Sequence, residues 1–194
     1  MRTFGDLVYP GAVRRDALVR DGVLILAGSL LVALCAKIQL PTLPIPMTLQ
    51  PFAVLLVGAV LGSRRGALAL IVYLLEGAAG LPVFAGVAPG LAYFAGPTAG
   101  YLFAFPIAAF VVGALAERGW DRRFISAVAV MAVGQVIILA MGFAWLTAFV
   151  GVREAFLVGV AQFLPGDALK ILLAATALPL GWRCVRRVEH LTDT

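Results

Sequence analysis

Charge is scarce in this sequence. Only 13% of its 194 residues are Asp, Glu, Lys or Arg, against about 25% in an ordinary soluble domain, so a water-soluble globule is excluded as the starting assumption. Cysteine is almost absent. Cys35 and Cys184 lie in the first and last apolar runs with no CxxC spacing, so neither a disulfide nor a thiolate metal site is expected. The single histidine, His190, follows the last apolar run, which leaves no Ser-His pair or multi-His metal cluster for chemistry inside a membrane. Catalytic residues and metal ligands are therefore expected to be absent. No GxxxxGK[ST] phosphate loop is present, so the chain supplies no ATP-driven work by that route. Lys and Arg outnumber Asp and Glu by 15 to 10, but they punctuate the apolar runs instead of forming a patch, and no nucleic-acid partner is expected.

What the sequence has in abundance is hydrocarbon. Its residues are 62% hydrophobic and the mean hydropathy is +1.03. A membrane-spanning helix takes roughly 20 residues, so the length holds about six of them. The apolar runs are 22–40, 52–61, 66–75, 101–116, 124–150 and 168–182. The reading is an all-α integral membrane protein with six transmembrane helices over residues 22–183, an arm of residues 1–21 and a tail of residues 184–194. The arm is too polar and too long to read as a cleaved signal. Basic residues alternate strongly: Arg2, Arg14, Arg15 and Arg20 precede the first run, Arg64 and Arg65 the third, Arg118, Arg122 and Arg123 the fifth, and Arg183, Arg186 and Arg187 follow the sixth. The other connections carry only Arg153. The positive-inside rule then makes both termini cytoplasmic, in a multi-pass membrane protein.

This orientation puts three unusual segments outside together: the proline-rich stretch 41–51, the Gly/Pro-rich stretch 77–100 and the stretch 153–167. The second is a long, apolar, re-entrant or lid-like external loop, of a kind uncommon without a function.

Ionisable residues at membrane depth are costly, by about 2.5 to 3.5 kcal/mol on insertion scales, and mark functional candidates. They are Lys37, Glu76, Asp167 and Lys170. A spacing of three puts Asp167 and Lys170 on one helix face, with Asp167 at the helix start, where the dipole favours its charge. The pair offers an acceptor and a donor within one polar patch, or it is a purely structural i,i+3 pair. Glu76 reads as a loop cap or interfacial residue and Lys37 as a snorkelling side chain. Tyr93, Phe94 and Tyr101 read either as ligand-stacking residues or as interfacial belt anchors.

Four motifs in order, Pro44–Leu56 (PIPMTLQPFAVLL), Gly80–Gly86 (GLPVFAG), Gly96–Tyr101 (GPTAGY) and Pro165–Lys170 (PGDALK), resemble the BioY family, the biotin-binding S components of energy-coupling factor (ECF) transporters. The resemblance runs from about Ala33 to Ala175. It implies a six-helix protein that captures biotin outside and passes it inward with a transmembrane coupling protein and two ATPases, so that the chain needs no cofactor of its own. It implies that Asp167 and Lys170 contact the ureido ring. That ring has two N–H donors and one carbonyl acceptor, which a carboxylate and an ammonium match. Val83, Phe84, Gly86, Tyr93 and Tyr101 complete the expected substrate site. The sequence has no asparagine, so a loop asparagine used by some relatives has no counterpart. S components dock on the coupling protein through small residues of the first helix, for which Ser29 and Ala33 are the candidates. An intramembrane enzyme acting on a lipid or prenyl substrate is the competing reading, and a passive channel the third.

Overall fold

The computed structural model describes residues 14–40, 45–86 and 90–192, with side chains over 17–182, and almost all of it is helical. The arm up to residue 13 and the side chains of Cys184 and His190 lie outside the described residues.

The first helix, α1 (Arg14–Lys37), starts eight residues before the apolar run. Its extra turns carry Arg20 and Asp21, which pair at 3.1 Å, and Arg65 reaches the same Asp21 carboxylate at 3.1 Å. The charges are thereby neutralised, which lets the helix extend beyond its hydrocarbon. The proline-rich stretch is closed by a small antiparallel hairpin that hydropathy does not reveal, with β1 (Gln39–Leu40) against β2 (Met47–Thr48), Gln39 opposite Thr48.

Next come α2 (Gln50–Leu61) and α3 (Ser63–Ala78). Pro51 sits in the first turn of α2, where its missing N–H is harmless. The expected connection Gly62–Arg65 shrinks to Gly62 alone, at φ 85° and ψ 177°, a backbone conformation open to glycine. Ser63 already belongs to α3: its backbone N–H and its hydroxyl donate to Glu117 Oε1 at 2.7 and 2.9 Å. A carboxylate there satisfies otherwise orphaned donors, so Arg64 and Arg65 are helical.

The remaining helices are α4 (Ala99–Glu117), α5 (Phe124–Val150), the short α6 (Val152–Phe156) and α7 (Leu164–Thr192). The stretch 153–167 holds α6, then a π-type turn, Leu157–Ala161. Its last residues already belong to α7, with Pro165 in the first turn and the helix running on past Trp182.

Four stretches are long and apolar enough to cross a membrane: 17–37, 99–117, 124–150 and 152–182. By that measure four of the six expected spans stand. The 12-residue α2 and the 16-residue α3 are shorter than the roughly 20 residues a crossing takes. Packing explains how α2 can be so short and apolar all round. It is the hub of the bundle, touching α1, α3, α4, α5 and α7, with Ala53, Val54, Leu55, Val57 and Ala59 buried. Its Gly58 lies so close to α4 that a Cβ would stand 2.6 Å from the Ala109 carbonyl oxygen. Large apolar side chains such as Leu26, Leu30 and Leu34 of α1 and Leu169, Leu172 and Leu173 of α7 point outward, as the lipid-facing surface of a membrane bundle does.

Candidate functional site

Successive helices alternate in direction. The ends of α1 and α3, the starts of α2, α4 and α7, the hairpin and the loop 79–98 therefore gather at one end of the bundle. A cavity of about 60 Å³, partly open to solvent, lies there. Its apolar wall includes Leu102, Phe105, Ile138, Leu139 and Phe163. The polar side chains besides the tyrosines are few: Thr48, Gln50, Thr98 and Gln135 from different segments, with Asp167 and Lys170 together on α7.

Asp167 is the centre of the polar patch. It is only 3% exposed, in the first turn of α7. Lys170 Nζ donates to its Oδ1 at 3.1 Å, and Gln135 Nε2 of α5 donates to its Oδ2 at 2.6 Å. A buried carboxylate is thus held by a cation and an amide, which is what its burial demands. On α2, Gln50 accepts from Thr48 Oγ1 at 3.1 Å and donates to the Tyr73 hydroxyl at 2.7 Å.

The loop over the cavity is tied down at three consecutive carbonyls. Tyr73 of α3 donates to Val83 O at 3.2 Å, Lys37 of α1 to Phe84 O at 2.9 Å, and Tyr93 to Ala85 O at 2.9 Å. Burial raises the Tyr93 phenol above the ordinary tyrosine range, which keeps it protonated and donating. The Phe84 ring, 3% exposed, packs against Tyr73, Tyr93 and Phe94 with centroids 5.4, 4.8 and 5.4 Å away. It also covers Gly77, where a Cβ would come within 2.0 Å of the ring.

The residues expected to bind substrate therefore divide. Asp167, Lys170, Tyr93 and Tyr101 line the cavity. Tyr101 does so as a fixed wall: its hydroxyl donates to Gly159 O at 2.7 Å and its ring faces Phe163. Val83, Phe84 and Gly86 do not line it. The loop contributes Ala85 instead, because the bonds at 83–85 turn the Phe84 ring into the protein. Gly86 is exposed, at φ 85°. Lys37 clamps the loop, which a snorkelling side chain does not do.

The residues expected to dock on a partner lie on the inner face of α1. Ser29 is 0% and Ala33 7% exposed. The Ser29 hydroxyl donates to the Glu76 carboxylate of α3, so this face of α1 packs against α3. Glu76 is accordingly a partner of α1.

Gln135, Gln50 and Thr48 escaped the sequence reading, which counted only ionisable groups at depth. Gln135 did leave a signal, as a lone amide halfway along a 27-residue apolar helix. Among the described residues, no three of His, Cys, Asp and Glu stand close enough to hold a metal ion.

The loop clamp is testable through Lys37→Met, which keeps the apolar stem and removes the donor. Amide hydrogen exchange at residues 83–86 should quicken by about tenfold, the loss of one charge-assisted bond, with global unfolding nearly unchanged. Wild-type exchange there would remove Lys37 from the clamp.

Compared with known proteins, residues 10–187 match the family model described as the BioY family. The chain belongs to the BioY family. Among its BioY relatives, the probable biotin transporter BioY of Pyrococcus horikoshii is 43% identical over 148 residues, 76% of this chain and 85% of that protein. The biotin transporter BioY of Thermotoga maritima is 43% identical over 146 residues, 75% and 85% of the two chains. The fold matches the crystal structure of the S-component for biotin from an ECF-type ABC transporter with a TM-score of 0.73, at 22% identity, covering 92% of this chain and 95% of that one.

Proposed function

We propose that this chain binds biotin in the cavity between α2, α4, α5 and α7, and acts as the substrate-binding subunit of an ECF-type vitamin importer. The observation that carries the proposal is the Asp167–Lys170 pair, buried at 4% and 11% side-chain exposure and set into a largely apolar cavity at one end of the bundle. A urea ring needs acceptors for its N–H groups and a donor for its oxygen, and the pair supplies both kinds. The apolar wall suits a thioether ring and an alkyl chain. The names of the BioY relatives, as biotin transporters, support the same substrate.

In this reading α1, α2, α3, α4, α5 and α7 all cross the membrane, the short α2 surrounded by the other helices, with both termini cytoplasmic and the cavity facing out. A transmembrane coupling protein and two ATPases supply the energy, since the chain has no phosphate loop of its own.

Equilibrium binding of radiolabelled biotin to the detergent-purified protein tests the substrate. Saturable binding of one biotin per chain, displaced by unlabelled biotin, is expected; its absence overturns the proposal. Orientation is tested separately, in a background lacking Cys35 and Cys184. Arg153→Cys should react with an impermeant thiol reagent added to intact cells, and Arg64→Cys should not. Both sites are exposed in the fold, so reversed labelling would mean that the cavity faces inward.

A further inference from the structure

We propose that Gln135 determines specificity in this cavity: its side-chain carbonyl accepts one ring N–H of the cyclic urea, while Asp167 accepts the other and Lys170 donates to the urea oxygen. The inference rests on the biotin reading and adds a third recognition group to it.

Helix α5 carries no charged residue over its 27 positions. Its Ser126 and Thr147 hydroxyls bond to carbonyls of their own chain three residues back, at 3.1 and 2.7 Å. Gln135 instead reaches another helix, placing Nε2 at 2.6 Å from Asp167 Oδ2. A carboxylate has no hydrogen to give, so the NH2 end of the amide must face it, and this fixes the direction of the whole side chain. The carbonyl end, Oε1, is then turned away from Asp167. Gln135 is 4% exposed and lines the cavity, and among the described residues no donor serves this oxygen. An amide carbonyl in such a place is ordinarily bonded. Without a protein donor, this one takes its partner from what fills the cavity it lines, water or ligand.

The chemistry of that partner follows from the set of groups. Asp167 uses one bond at each oxygen, for Lys170 and Gln135, and retains accepting capacity on both. The cavity thus offers an acceptor, a donor and an acceptor: the Asp167 carboxylate, the Lys170 ammonium and the Gln135 carbonyl. A cyclic urea is the complement, donor, acceptor and donor in one rigid ring. A lactam, which lacks the second N–H, would leave Gln135 unserved, so the amide selects ureas over ring amides.

The test is a titration of purified wild-type protein and Gln135→Met with biotin and with each of its two mono-N-methyl forms. Wild type should bind both methylated forms more weakly than biotin. Gln135→Met should bind biotin roughly tenfold to a hundredfold more weakly. For one of the methylated forms the substitution should add no further loss, because that ligand has no N–H for Gln135 to accept. An equal penalty on all three ligands overturns the proposal and leaves Gln135 as a positioning residue for Asp167. If Gln135→Met does not fold, wild type alone decides. Undiminished binding of either methylated form means there is no second acceptor, whereas weakened binding of both supports one. Wild type that binds no biotin overturns the biotin reading itself, a result distinct from either.

Discussion

Asp167→Asn should weaken biotin binding by about 1.5 to 3 kcal/mol, the range of a charge-assisted hydrogen bond, while the protein still folds. The fold should survive because an asparagine oxygen can still accept from Gln135 Nε2, which now stands 2.6 Å from the carboxylate. Lys170→Met should be harsher. It leaves Asp167, 3% exposed, without its cation, and breaking a buried pair from one side destabilises by about 3 to 5 kcal/mol. Adding Asp167→Asn to Lys170→Met should restore much of the melting temperature and none of the affinity. Biotin titrations and thermal unfolding of the three variants check this. Unchanged affinity in both single variants would reduce Asp167 and Lys170 to a structural pair, and a double variant no more stable than Lys170→Met would show that the two charges are uncoupled.

Phe84→Ala should be nearly as damaging, though the ring does not line the cavity. Removing a buried phenylalanine costs about 3 to 5 kcal/mol. Here the loss falls on the loop, since the ring is what packs against Tyr73, Tyr93 and Phe94 and covers Gly77. Stability should drop and biotin should leave at least tenfold faster, because Ala85 and Tyr93 lose the anchor that holds them at the cavity. Weaker binding with unchanged stability and unchanged exchange of the loop amides would instead place the ring on the ligand.

Hydropathy carried most of the fold. The run 124–150 coincides with α5, since a long uncharged stretch bounded by Arg123 and Gly151 has little freedom. What it could not separate is lipid from protein interior, both equally apolar. That α2 is the buried hub touching five other helices therefore does not show in its hydropathy, which reads as one more apolar run. The start of α7 was misplaced because PGD reads as a breaker, yet proline and an acidic residue are also what a first helical turn accepts.

The site was partly legible for the same kind of reason. Spacing alone put Asp167 and Lys170 on one face, and they are bonded at 3.1 Å. Ser29 and Ala33 announced close packing without naming what they pack against, and the Ser29 hydroxyl meets Glu76 of α3. In the loop, the choice of Ala85 over Val83, Phe84 and Gly86 depends on which carbonyls find donors on Tyr73, Lys37 and Tyr93. Those donors lie up to 47 residues away in sequence, beyond the reach of any local pattern.

A crystal structure of the protein with biotin bound tests the central claim most directly. The account predicts the urea ring among Asp167, Lys170 and Gln135, with its nitrogens about 3 Å from carboxylate and amide oxygens and its oxygen toward Lys170 Nζ, and the alkyl chain along the wall of Leu102, Phe105 and Ile138. Biotin seated elsewhere on the bundle, or seated in this cavity with its urea ring away from Asp167, would contradict it.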